Sequence, residues 1–199
     1  MSTSPFHRGT VLIRVRNGLA VVDRSCGVCR TCVVGARYWC PEPLKRGETL
    51  LTTPANVVPT SILTALTAMS AVIAAKLTPQ STVLVLSPLG HEVIARIVGF
   101  IHAGPILSAA EAGDQQVRRR LADLTVTGRA DAVVALRDGR EAVKAVVRGG
   151  TVCLPDSPLR CPSIAELVQR EVRLVGPQDL KDSIRRAGRE ALEDLLTSV

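Results

Sequence analysis

The sequence predicts an α/β protein: a reduced, doubly wound parallel sheet preceded by a small metal-binding lobe. Two observations carry this. Beyond residue 60, short apolar runs alternate with segments of helical period, the pattern of β-α units laid into a parallel sheet. Ahead of them, four cysteines crowd between positions 26 and 40 in a stretch rich in Gly, Arg and Pro. The division falls at 56/57, with an N-terminal lobe over 1–56 and the α/β domain over 57–199.

Taken in order, Val11, Leu12, Ile13 and Val15 read as a strand. An Asn17-Gly18 turn follows, and Leu19 to Val22 return as a second strand, the signature of a hairpin. Thr60–Lys76 reads as a buried helix. The stretch 49–75 carries no charge, but Pro54, Asn56 and Pro59 break it too often for a membrane span. Thr82–Leu86 is a continuous apolar strand of the kind covered on both faces. Val93, Ile94, Ile97, Val98 and Ile101 fall at helical spacing. Ile106–Ala110 is a short strand, Gln115–Asp123 a helix bearing Arg118, Arg119 and Arg120, and Ala132–Leu136 a strand. Arg140–Arg148 reads as a helix stopped by Gly149-Gly150, and Thr151–Leu154 as a strand ended by Pro155. Ile164–Arg170 is a helix, Val172–Gly176 a strand and Asp179–Leu196 one final amphipathic helix.

With 199 residues, 46% hydrophobic and 22% charged, the chain is globular in composition. The net charge of +7 is concentrated at the front, where residues 1–46 hold eight basic side chains against Asp23 and Glu42. A basic lobe could meet an acidic partner or a phosphate. The charges are scattered, however, and Phe6, Tyr38, Trp39 and Phe100 are the only aromatics, which argues against a nucleic-acid binder that stacks bases. Met1 to Arg8 lacks the apolar core of an export signal, so cytoplasmic localisation is expected, with no membrane partner.

In that compartment clustered thiols favour metal over disulfides. Cys26, Cys29, Cys32 and Cys40 follow the spacing C-x2-C-x2-C-x7-C. Four thiolates complete a closed tetrahedral zinc site with no position left for water, so such a zinc is structural. Arg24, Arg30 and Arg37 would offset its net negative charge. Pro41 after the last cysteine fits an iron–sulfur run as well, but the last gap there is three residues rather than seven. Four thiols without a ligand are the remaining alternative. Cys153 in a strand and Cys161 in a loop read as packing or surface thiols.

The cysteine spacing followed by this strand–helix alternation resembles the medium-chain (zinc-type) alcohol dehydrogenase family over roughly residues 20–199. Cys26–Cys40 is similar to that family's structural-zinc lobe, and Pro59–Leu86 to its inter-domain helix and first strand of a Rossmann-like domain. Ala132 to Leu154 resembles a late strand, helix and glycine-pair strand. Glu171–Gly176 resembles the strand that pairs across the family's dimer. The resemblance implies an NAD(P)-dependent oxidoreductase ancestry.

The departures are specific. Most of the family's catalytic domain, with its catalytic zinc, precedes the cysteine lobe, whereas here Cys26 follows only 25 residues with one histidine, His7. Dinucleotide binding needs glycines after the first strand so that backbone can approach the pyrophosphate. Here the turn reads Ser87-Pro88-Leu89-Gly90-His91-Glu92, which places Ser87, Leu89 and Glu92 on the three glycine positions. Glu111 alone stands where an acid would hold the ribose. The segment between the second and late strands is shortened, as if one β-α unit were lost. Gly90-His91-Glu92 matches a family zinc triplet only by coincidence of order, and His102 reads as a helix-end histidine.

The expectation is therefore a catalytically silent dehydrogenase-like protein with no catalytic and no cofactor-binding residues. It would hold a structural zinc through Cys26, Cys29, Cys32 and Cys40 and serve as a structural or recognition subunit. Its partner would be a protein, either a second copy or an enzyme. The alternative is a working NAD(P)-dependent, zinc-containing oxidoreductase, completed by a partner chain.

Overall fold

A computed structural model describes residues 9–33, 40–54, 59–88, 91–136, 138–155 and 161–197. The first half contains β1 (Thr10–Val15), β2 (Gly18–Asp23), α1 (Arg30–Val33), β3 (Glu48–Thr53) and α2 (Pro59–Ala75). Next come β4 (Val83–Leu86), α3 (His91–Ile101), β5 (Ile106–Ala109), α4 (Gln115–Leu124) and β6 (Ala130–Ala135). The chain ends with α5 (Gly139–Ala145), β7 (Val146–Cys153), α6 (Ile164–Arg170), β8 (Arg173–Val175), α7 (Leu180–Ala187) and α8 (Arg189–Thr197). These fall into two compact units, Met1–Leu66 with Gln178–Val199, and Thr67–Pro177. No helix among the described residues is long and apolar enough to cross a membrane.

In the first unit, β1, β2 and β3 form an antiparallel sheet in that order. The expected hairpin is present, with Val15 paired to Gly18, so Arg16 and Asn17 make the turn and Gly18 opens the returning strand. Glycine is required there because a Cβ would lie 2.0 Å from the Thr53 carbonyl oxygen. As the central strand, β2 buries Leu19 to Val22 without alternation. α8 packs on β3 and fully buries Leu192 and Leu196, each contributing about 2 kcal/mol. The sequence pattern suggests one C-terminal helix, but the structure has two. At Gly188, φ is +88°, a conformation that ends α7 with its N–H on the Ile184 carbonyl. Sequence periodicity bridges such a break because the apolar stripe resumes in α8.

In the second unit, five parallel strands run in the order β5-β4-β6-β7-β8. β4 and β6 are central, and every residue of β4 is buried, as expected for a doubly covered sheet. Leaving β4, the chain moves outward through α3 to β5, then reverses through α4 to β6. Right-handed crossovers in opposite directions place their helices on opposite faces. Accordingly Val117 and Leu121 of α4 share a core with Leu84, Leu107 and Val133. α3 packs against β4 and β5 and puts Gly99 against Ile106. The return from edge strand to centre through one helix accounts for the shortened segment seen in the sequence. His102 ends α3 and is buried, its Nε2 donating to the Ser81 carbonyl at 2.7 Å.

One element boundary moves. The helix read over 140–148 ends at Ala145, and β7 begins at Val146. Val146 and Val147 are β-branched and favour the strand. Gly149 and Gly150 then lie inside β7, where the register against β6 shifts and a Cβ on Gly150 would sit 2.8 Å from the Asp131 carbonyl oxygen.

Candidate metal centre and switch-point crevice

The metal centre is built where β2 ends. The Asp23 carboxylate accepts the Ser25 N–H at 2.8 Å, turning the chain out of the sheet. Gly27, at φ +76°, lets it fold back so that the Cys29 N–H points at Cys26 Sγ, 3.4 Å away. The short helix α1 then carries Cys32 inward, with the Val33 N–H on the Cys29 carbonyl at 3.0 Å. Cys40 returns from the far side, and the Cys26 N–H meets its Sγ at 3.4 Å. Arg24 braces this return through its Nε on the Leu44 carbonyl at 2.6 Å.

All four sulfurs lie within 4.8 Å of one another, an arrangement able to hold a metal ion. Cys26 and Cys32 are 3.9 Å apart, as are Cys29 and Cys40. A tetrahedron with bonds of about 2.3 Å to a central ion has edges of about 3.8 Å, so the donor set fits a tetrahedral thiolate site. The thiols are unequal. Backbone N–H groups of Cys29 and Val28 hold the Cys26 thiol down to about 6. Burial pushes Cys32 up to about 12, reinforced by neighbouring thiols. Cys32 and Cys40 are buried and Cys26 and Cys29 partly so. Arg30 stands exposed on α1, while Arg37 lies outside the described residues.

Cys153 and Cys161 stand apart from the centre. Cys153 is buried in β7 with its Sγ 3.8 Å from the Ala71 carbonyl, and Cys161 is exposed. His7 lies outside the described residues.

The second place with chemical potential is the crevice at the carboxyl ends of β4 and β6, where the winding direction reverses. The Leu136 N–H closes its floor on the Leu86 carbonyl at 3.2 Å. Ser87 is buried, and its N–H donates to the Ala109 carbonyl at 3.0 Å. Leu89 and Gly90 lie outside the described residues. Glu92 is exposed in the first turn of α3. That turn is where a nucleotide pyrophosphate would take the helix N–H groups. A carboxylate there opposes a second anion. Glu111 is exposed just beyond β5.

Sequence reasoning overlooked the flank of β5. A cleft of about 390 Å³ runs along it, lined by Ile106, Ser108, His91, Gln116 and Arg120 among others. The shortened segment after β5 was its only sequence signal.

No family model matches the chain, and no curated protein is similar in sequence. Solved structures are similar in fold. The alcohol dehydrogenase TADH from Thermus sp. ATN1 superposes with TM-score 0.56 at 18% identity, covering 91% of this chain and 67% of that one. Zinc dependent alcohol dehydrogenase 2 from Streptococcus pneumonia, in its apo form, gives 0.58 at 15% identity, covering 89% and 64%. Acetophenone reductase from Geotrichum candidum, in complex with NAD, gives 0.53 at 16% identity, covering 92% and 70%. The chain thus spans about two thirds of these dehydrogenases and shares their fold, a Rossmann-like parallel sheet with a cysteine cluster able to hold zinc near the N-terminus.

Proposed function

We propose that this chain is a dehydrogenase-like scaffold that holds a structural zinc in Cys26, Cys29, Cys32 and Cys40, binds no NAD(P), and docks a protein partner. The observation that carries this reading is the turn after β4. Ser87 stands buried at the strand end where a dinucleotide turn needs glycine, and Glu92 puts a carboxylate in the first turn of α3, where it opposes an anion at the helix N-terminus. The sulfur geometry supports zinc, because the 3.9 Å separations match a tetrahedral thiolate shell and leave no open position for chemistry.

A docking role draws support from the outer edge of β8. Leu174 is 41% exposed there, and Ile164 and Val168, one turn apart on α6, are 80% and 69% exposed. An unpaired strand beside an apolar helix stripe suits pairing with a second copy or a partner enzyme.

The test is titration of the purified, metal-loaded chain with NAD(H) and NADP(H), followed by calorimetry, with metal content measured on the same sample. One zinc per chain and no heat of binding supports the reading. Micromolar binding of either nucleotide would overturn it and favour the alternative, an NAD(P)-dependent oxidoreductase.

A further inference from the structure

The two ends of the parallel sheet differ. At β8 the edge strand is three residues long, with no strand on its outer side among the described residues. At β5 the edge lies in a cleft between α3 on one face and α4 on the other. The Val83 N–H donates to the Pro105 carbonyl and the Ser87 N–H to the Ala109 carbonyl. Main-chain groups of alternate residues point the same way along a strand. Leu107 and Ala109 therefore turn theirs toward β4, while Ile106 and Ser108 turn their N–H and C=O into the cleft. No strand among the described residues pairs with them.

We propose that the outer edge of β5 receives an extended acidic peptide strand, which adds a sixth strand to the sheet by main-chain pairing with Ile106 and Ser108. This does not depend on the reading above, since an active enzyme with the same edge would bind the same strand.

Three features identify the occupant. First, the cleft offers alternating donors and acceptors on a slot walled by two helices, which suits a β-strand and not a helix. Second, the wall carries a cation without a counter-charge. Arg120 lines the cleft, is exposed and has no ion-pair partner among the described residues. Of the neighbouring acids, Asp114 at the cap is engaged by the Gln116 and Val117 N–H groups at 2.8 and 3.1 Å, and Asp123, three residues beyond Arg120 on α4, is exposed. Carboxylates on the incoming strand would supply the missing counter-charge. Third, His91 lines the cleft with a buried Nδ1 that has no hydrogen-bond partner among the described residues, a polar atom awaiting one. A second copy is a poorer occupant. Its own Arg120 would enter the slot beside the first, setting like charges together.

The probe is a short, terminally blocked peptide alternating valine and glutamate, titrated into isotope-labelled protein beside a lysine-for-glutamate counterpart. The Ile106 and Ser108 amides should shift and gain exchange protection with the glutamate peptide only. Ser108→Pro removes a cleft-facing N–H and leaves the bonds to β4 intact, so it should weaken binding about tenfold. Arg120→Glu, on the exposed wall, should reverse the preference toward the lysine peptide without disturbing the fold. The proposal is overturned by no binding at millimolar peptide, by equal binding of both peptides, or by binding unchanged in either variant. Protection of Ile106 and Ser108 in the free protein together with concentration-dependent mass would assign the edge to a second copy and equally overturn it.

Discussion

Thr52 and Glu193 close the outer edge of β3 through one oxygen atom. The Thr52 N–H donates to Glu193 Oε1 at 2.7 Å and its hydroxyl to the same atom at 3.1 Å, while Arg189 Nε reaches it at 3.2 Å. A carboxylate on α8 thus takes the place of the missing fourth strand, one way an exposed edge is kept from pairing elsewhere. Lys181 of α7 meets Glu48 at the start of the same strand. Burial pushes the Glu193 carboxyl up, but the Thr52 and Arg189 donors outweigh it and hold the group below its ordinary range.

That depression fixes the sign of a pH dependence. A carboxyl lowered in the folded state contributes stability that is complete above its unfolded value, near about 4.3, and is lost as pH falls through the folded one. Glu193→Gln should lower stability by about 1 kcal/mol at neutral pH. The gap between the variant and the parent should narrow toward zero below about pH 4. Urea midpoints measured across that range check it, and a constant gap would show that the loss is one of packing alone.

The cysteine cluster predicts a local collapse. Cys29 supplies a sulfur and the carbonyl that starts α1, and its N–H steers Cys26. Cys29→Ser should abolish stoichiometric zinc and cost the N-terminal unit several kcal/mol, since metal affinity is folding energy there. Chelation should reproduce the effect. Proton spectra of the β1–β3 amides, with metal analysis, distinguish this from a neutral change, in which both would match the parent.

Much of this was legible in the sequence for identifiable reasons. The spacing of Cys26 to Cys40 is local, so the cluster could be read without any tertiary knowledge. The central strands β4 and β6 announce themselves as unbroken apolar runs because both of their faces are covered. Helix starts are fixed by Asp114, Asp138, Ser163 and Asp179, whose side chains accept the first free N–H groups, a local signal that the periodicity reading left unused. What escaped depends on partners distant in sequence. Gly18 reads as a turn residue, yet Thr53 dictates it. Gly150 reads as a helix stop, yet Asp131 in the neighbouring strand excludes its side chain. The β5 cleft is an absence of a neighbour, which no residue spells out.

The two remaining thiols should separate by reactivity. Burial pushes Cys153 up to about 12, whereas Cys161 is exposed. With the cluster occupied by metal, a maleimide should label Cys161 rapidly and Cys153 only on unfolding. Mass spectrometry of the native and denatured protein reads this directly, and rapid native labelling of Cys153 would show that α2 opens from the sheet.

A pair of glycine replacements tests how far close approach, and not composition, sets these positions. At Gly18 a methyl group would collide with the Thr53 carbonyl oxygen at 2.0 Å, and backbone on neighbouring strands cannot swing aside as a side chain can. Gly18→Ala should therefore cost about 2–3 kcal/mol through displacement of β3 from β2. At Gly113 the nearest atom to a new Cβ is the Glu111 carboxylate oxygen, 3.9 Å away at the mobile end of a side chain. Gly113→Ala should be neutral or stabilise by about 0.5 kcal/mol, because it narrows the unfolded ensemble without a native penalty. Thermal midpoints of the two variants side by side give the comparison, and equal losses would mean that both sites answer to local backbone preference instead of to the strand across from Gly18.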